Sequence, residues 1–195
     1  MSTPTQNGTP SPPSSMRTFF IIWIGQVISI LGSRMTFFAL GVWIYEQTGE
    51  ATPFALTALA GSLPHVLLAP IAGSLADRLN RRVIMILADT GDAILTGVTA
   101  ILLFTGNLQV WQIYIISFLG STLSVFQEPA FNASIAMLVP KKHLGRANGL
   151  QQMGEAVTSI LTPVIAGALF ALIGLNGIII IDIISYTFAI GALLM

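Results

Sequence analysis

The sequence predicts an all-α membrane protein of six transmembrane helices arranged as two inverted three-helix repeats. Three observations predict it. Only 16 of the 195 residues are charged, 8 basic and 8 acidic, against roughly 25% in a soluble domain. Long apolar stretches follow one another, separated by clusters of Gly, Pro, Asn or charge. The basic residues, Arg34 apart, gather in every second connection between those stretches. This composition excludes a water-soluble globule and a disordered chain, and the net charge of zero leaves no basic field for nucleic acid. There is no Cys, which excludes disulfide scaffolds, thiolate metal sites and cysteine nucleophiles.

Residues 1–17 are Ser, Thr and Pro with one charge. They bring too little apolar surface to offset the entropy of ordering, which predicts a disordered tail. No basic cluster precedes the first apolar run, and that run is too long for a secretory signal. The bundle then occupies 18–195, with spans near 19–45, 52–75, 83–104, 111–138, 148–172 and 175–195. Each meets the roughly 20 residues, at about 1.5 Å apiece, that cross the hydrocarbon of a bilayer. A membrane barrel would instead alternate in pieces of about ten residues. The first and fourth spans are long enough to tilt or project, and Pro129 gives the fourth a reason to kink.

Orientation follows from the basic residues. Arg17 lies in the tail, Arg78, Arg81 and Arg82 follow the second span, and Lys141, Lys142 and Arg146 follow the fourth. The alternate connections, Glu46–Ala51, Thr105–Val110 and Ile173–Leu175, hold none. Both the N-terminus and the end of this chain are therefore expected on the cytoplasmic side of the cell membrane. A weak internal repeat supports a three-plus-three grouping. Ile71-Ala72-Gly73-Ser74-Leu75 returns as Ile165-Ala166-Gly167-Ala168-Leu169, each a few residues after a Pro, and Asp89 is answered by Asp182 one residue out of step. Successive three-helix units must enter the membrane from opposite sides, as in many secondary transporters.

The most specific stretch is Gly73-Ser74-Leu75-Ala76-Asp77-Arg78-Leu79-Asn80-Arg81-Arg82. It resembles the helix 2–3 loop signature of the major facilitator superfamily, G-x-L-a-D-r-x-G-r-[RK], at every charged position. The departure is Asn80, in place of a Gly; Asn tolerates a left-handed backbone, so a tight turn is expected there. Gly73 would let helix 2 approach a neighbour closely, and Asp77 would cap a helix start and pair with Arg. A bare group of arginines could serve topology alone, but the ordered Gly, Asp and Arg spacing favours the family reading. In that reading Gly73, Asp77, Arg78, Arg81 and Arg82 form a conformational switch. Gly25-Gln26, Ser29, Gly32-Ser33, Thr48-Gly49, Leu63-Pro64, Pro129-Ala130, Val139-Pro140 and Ala147-Asn148 look like the macrolide-efflux-like and enterobactin-exporter-like branch. Thr162-Pro163-Val164-Ile165-Ala166-Gly167 resembles the antiporter signature G-P-x-x-G-G, keeping Pro163 and Gly167 and replacing two glycines. Gly120 stands where related exporters often carry an Arg.

The resemblance implies a transporter of twelve helices, of which this chain is the N-terminal half, truncated before the second. A partner is then required, either the C-terminal six-helix half or a second copy. It also implies that helices 1 and 4 line a central cavity. Arg34 and Glu128 are the ionisable candidates there, and Gln26, Gln127 and Asn132 add hydrogen-bonding groups. Their axial positions differ by roughly 7 Å at 1.5 Å per residue, so the two charges are expected to face one cavity and couple. Trp23, Phe37, Phe38, Phe126 and Phe131 would supply apolar walls, or simply pack. A charge at mid-membrane costs about 2.5–3.5 kcal/mol on insertion scales. Asp89 and Glu155 are therefore expected near the Arg-rich loops as structural ion pairs, and Asp182 reaching outward to the interface. Asp92, one turn from Asp89 on the same face, is the coupling candidate of helix 3. His65, alone beside Pro64, reads as a packed or interfacial histidine.

No metal-ligand cluster, nucleophile elbow, phosphate-binding Gly-rich loop or Walker sequence occurs in the chain. Neither an enzyme nor a bound cofactor is expected. The reading is the half of a secondary transporter, in a lipid bilayer, exporting a small amphiphilic compound at the expense of a proton gradient. The other reading, from a different class, is a non-transporting six-helix subunit or scaffold, or an inactive fragment. Single cysteines placed at Gly106 and Lys142 test the orientation: they are expected to label from opposite sides of the membrane. Labelling of both from outside would overturn it.

Overall fold

A computed structural model describes residues 16–194, apart from the side chains of Ala76 and Asp77. The expected tail thus lies outside the described residues except at its end, where Met16 and Arg17 already belong to a helix. Five long helices follow: α1 Met16–Thr48, α2 Thr52–Arg78, α3 Arg81–Phe104, α4 Val110–Leu138 and α5 Leu144–Leu194. A 3-10 turn, Lys141–His143, precedes α5. All five are long and apolar enough to cross a membrane, and no strand occurs among the described residues. This is a multi-pass membrane protein.

The expected fifth and sixth spans both fall within α5, where two helices join across a break at Gly174, whose φ of 66° and ψ of −175° are non-helical. No polar linker separates the two apolar runs, so a single residue makes the break. Its consequence is a reversal of direction. Residues 154, 158 and 167 meet Trp23, Arg34 and Phe38 in ascending order along α1. Beyond the break the order inverts, with Asp182 against Thr36, Ser185 against Gly32 and Ala192 against Gly25. The two arms of α5, 144–173 and 175–194, therefore run in opposite senses along the same helix.

That makes α1 the central post. Its small residues face the returning arm: a Cβ on Gly25 would stand 3.0 Å from Ala192, and one on Gly32 would stand 2.7 Å from Asp182 Oδ1. Small side chains let membrane helices approach closely enough for packing and hydrogen bonds to hold them. Elsewhere α2 packs mainly on α4, and α3 bridges α4 and α5.

The core is layered along α1. Phe19 packs with Ile135, Val139 and Ala147 at one end. Met35, Ala39, Leu40 and Ile44 pack with Ala100, Ile113, Leu175, Ile178 and Ile179 at the other. Between them lie the buried polar residues Gln26, Ser29 and Thr36. From 26 to 36 this polar section measures about 15 Å at 1.5 Å per residue.

The helix 2–3 connection departs from expectation in three ways. Asn80 is not left-handed; with φ −68° and ψ 111° it is extended, and its side chain accepts from the backbone N–H of Arg82 at 3.0 Å. Asn80 is thus the N-cap of α3, the role expected of Asp77. Asp77 falls in the last turn of α2, and its side chain lies outside the described residues. A Cβ on Gly73 would meet nothing within 4 Å, so no close approach inside the described chain requires this glycine.

The backbone at Gly174 lies in a region that is essentially closed to residues with a Cβ, with a cost of order 1–3 kcal/mol. Gly174→Ala is expected to lower the thermal midpoint of the purified protein by an amount consistent with that cost. A midpoint equal to wild type would show that the break is not held at this angle.

Candidate functional site

Where the polar section of α1 meets its neighbours, a cavity of about 430 Å³ opens. Trp23, Gln26, Val27, Ile30, Ser33 and Arg34 face it from α1, Asp89 and Asp92 from α3, and Ser124, Gln127, Glu128 and Phe131 from α4. The first arm of α5 contributes Gln151, Gly154, Glu155 and Thr158, the returning arm Tyr186, and α2 His65. Gly154 shapes this wall: a Cβ there would come within 3.3 Å of Trp23 and Val27. Aromatic and aliphatic walls with a few placed polar groups are what a small organic ligand requires.

Three helices meet at Asp89, which is 2% exposed. Gln26 donates through Nε2 to Oδ2 at 3.0 Å, and Gln127 donates through Nε2 to Oδ1 at 2.6 Å. The second Gln127 hydrogen goes to Gln26 Oε1 at 3.1 Å. That bond fixes the Gln26 amide so that its nitrogen, not its oxygen, faces the carboxylate. The two side-chain partners of Asp89 are therefore amide N–H donors, the arrangement that stabilises a carboxylate anion. The expected pairing with the arginine loop is not made among the described residues. Asp89 turns inward because two amides reach it from α1 and α4.

Arg34 and Glu128 both line the cavity, but Arg34 engages α5. Its Nη1 donates to Thr158 Oγ1 at 2.7 Å and to the Glu155 backbone oxygen at 3.4 Å. No hydrogen bond joins it to Glu128 among the described residues, and the Glu128 side chain is exposed. The Glu155 side chain is exposed as well. Asn132 is not among the cavity residues; its Oδ1 accepts from Gln151 Nε2 at 2.5 Å, tying α4 to α5.

Asp92 faces the cavity beside Gly120, where a Cβ would stand 3.2 Å from its Oδ1. An arginine in that position would rise directly beside the carboxylate. His65 Nδ1 lies 2.9 Å from Ser121 Oγ, and Ser121 donates to the Gly61 carbonyl. Pro64 removes the N–H that would bond the Ala60 carbonyl, one residue before the Gly61 carbonyl that Ser121 reaches.

Of the remaining motif residues, Arg81 reaches α4, where Nη1 donates to the Ala133 oxygen at 3.3 Å and contacts the Met137 sulfur. Arg78 and Arg82 are exposed. Pro163 lies on the exposed side of the first α5 arm, and a Cβ on Gly167 would just touch Phe38 at 4.0 Å.

Sequence reasoning missed a second polar centre. Asp182 is 1% exposed and does not reach outward. Thr36 donates to its Oδ2 at 2.8 Å, and Thr96 approaches the same atom at 3.4 Å. Its place near the outer end of the expected sixth span points to the interface, but hydroxyls of α1 and α3 hold it inside the bundle. The usable signal was the stripe Asp89, Asp92, Thr96 and Thr99 on one face of α3, which requires polar partners on α1 and α5.

Comparison with known proteins follows the same lines. The family described as transmembrane secretion effector matches residues 8–195. Macrolide efflux protein A of Streptococcus pyogenes is 34% identical over 171 residues, covering 88% of this chain and 42% of that protein. Macrolide efflux protein A of Enterococcus faecalis is 36% identical over 131 residues, 67% of this chain and 41% of that protein. Multidrug resistance protein MdtG of Proteus mirabilis is 29% identical over 186 residues, 90% and 43% respectively. The chain thus spans about two fifths of the length of these curated relatives. No solved structure matches it. A family match over nearly the whole chain, on a helical bundle with a polar-floored cavity, places this protein in the transmembrane secretion effector family of the major facilitator superfamily.

Proposed function

We propose that this chain is the N-terminal half of a secondary active transporter that exports a small amphiphilic compound, a macrolide or another drug, in exchange for protons. In this reading α5 crosses the membrane twice, giving six crossings and two inverted three-helix units. Both ends of the chain are cytoplasmic, and the protein resides in the cell membrane. The other wall of the pathway comes from a C-terminal half or from a second copy. The single observation that carries the reading is the cavity, which Trp23 and Phe131 line together with the carboxylates of Asp89 and Asp92 and the amides of Gln26 and Gln127.

The chemistry is coherent with that role. Aromatic and aliphatic side chains bind the apolar part of a ligand without fixing its orientation. Arg34, Glu128, Asp92, Gln26 and Gln127 offer charge and hydrogen bonds that compete with water for its polar part. Two carboxylates on one helix face repel when both are ionised, and cavity water gives them access to protons. Rocking of two halves about a midplane site would then alternate its exposure. The relatives named for efflux of macrolides and multidrug resistance support outward movement.

Inside-out vesicles carrying the full-length protein test this. Labelled erythromycin is expected to accumulate when a proton gradient is imposed, and a protonophore is expected to abolish the accumulation. Uptake that persists in the presence of the protonophore would overturn proton exchange. Absence of any uptake above that of empty vesicles, for erythromycin and for a panel of lipophilic drugs, would favour a non-transporting subunit.

A further inference from the structure

Asp182 lies outside the set of groups that a substrate in the cavity would touch. Its surroundings differ in kind from those of Asp89. Asp89 is held by amide N–H groups that can only donate, whereas the side chains around Asp182 are the hydroxyls of Ser33, Thr36, Thr96 and Ser185. A hydroxyl donates or accepts by rotating one hydrogen. Such a shell accommodates a carboxylate and a carboxylic acid without moving a heavy atom.

The two oxygens of Asp182 are also unequal. Oδ2 takes the hydrogen of Thr36 at 2.8 Å. Oδ1 faces Ser33 Oγ at 3.5 Å and Ser185 Oγ at 3.4 Å. Each of those hydroxyls has one hydrogen and a nearer backbone acceptor, Ser29 O at 3.0 Å for Ser33 and Asp182 O at 2.7 Å for Ser185. With those hydrogens so placed, Oδ1 looks onto oxygen lone pairs. It is the atom with room for a proton, and both serine oxygens stand ready to accept from it.

A route to the cavity exists. Tyr186 lines the cavity, and its hydroxyl lies 2.9 Å from Ser33 Oγ, which in turn faces Asp182 Oδ1. We propose that Asp182 binds an exchangeable proton, delivered from the cavity through Tyr186 and Ser33. The transfer balances. Tyr186 passes its hydroxyl hydrogen to Ser33 Oγ, Ser33 passes its own to Asp182 Oδ1, and Tyr186 regains one from a protonated water in the cavity. The carboxylate changes from −1 to neutral, and the two hydroxyls end as they began. The step of 3.5 Å between Ser33 and Asp182 is the longest in the path, so a small shift of α1 against the returning arm of α5 opens or closes it.

The charged and titratable groups around the site are few. From α1 the side chains that reach Asp182 are hydroxyls, and Arg34 turns to Thr158 on the other arm. From α3 they are Asp92, one turn before Thr96, and Asp89 beyond it. Tyr186 is the one on its own arm. The assignment deepens the proton-exchange reading but does not need substrate to be tested.

Infrared difference spectroscopy of the purified full-length protein in lipid, recorded as pH is changed, reads protonated carboxyl groups directly. Wild type is expected to show a carboxyl C=O band that titrates, and Asp182→Asn is expected to lose it. Persistence of the same band in Asp182→Asn, or no titrating band in wild type, would overturn the assignment. If Asp182→Asn does not accumulate, Thr36→Val decides. Removal of the closest donor to Oδ2 is expected to displace the band in frequency, and an unmoved band would overturn the assignment. Vesicle uptake indifferent to the proton gradient would sink the exchange mechanism while leaving a titrating Asp182 in place, so the two failures are distinguishable.

Discussion

Buried carboxylates that have no neighbouring cation among the described residues are the constraint on which this bundle depends. Asp89 and Asp182 are both buried within apolar spans, and their partners are the neutral groups of Gln26, Gln127, Thr36, Thr96, Ser33 and Ser185. An uncompensated charge at such a depth costs about 2.5–3.5 kcal/mol even on insertion scales. Each must collect donors from other helices, and the donors come from α1, α3 and α4. The packing follows. Gly25 and Gly32 bring α1 close enough to the returning arm for Thr36 to reach Asp182, and apolar layers at either end keep the polar section between them.

The architecture was legible because helical length, apolar composition and charge placement are long-range averages. The spans at 52–75, 83–104 and 111–138 lie within a few residues of α2, α3 and α4. The details that failed depend on which side chain reaches which neighbour. Asn80 reads as a turn residue by backbone tolerance, yet Asn is also a strong N-cap, and a helix start directly after it decides between the two. Gly73 reads as a packing glycine, yet the described residues bring nothing against it. Arg34 and Glu128 do line one cavity, as their axial positions suggest, but the hydrogen bond of Arg34 goes to Thr158. Axial arithmetic contains no azimuth. Asp182 escaped because its donors lie 146 and 86 residues away in the chain.

The cavity inherits its character from this frame. Gln26 and Gln127 serve two masters: they hold Asp89 and they present their remaining surface to the cavity. A ligand or a proton that disturbs either amide therefore acts on the junction of α1, α3 and α4. Asp92 lies close against α4 at Gly120, where any side chain would press on its carboxylate. The site is thereby linked to helix packing through hydrogen bonds instead of through a fixed ion pair, which leaves it able to adjust between states.

The most direct test of this account is a double-mutant cycle on the Asp89–Gln127 pair, read as unfolding stability of the purified full-length protein. Gln127→Leu leaves a buried carboxylate short of a donor, and Asp89→Leu leaves an amide without its acceptor. The account predicts that the double variant is more stable than the sum of the two losses implies, with a coupling of about 1.5–3 kcal/mol, the range for hydrogen bonds to a charged group. Additive losses, with no coupling, would contradict it.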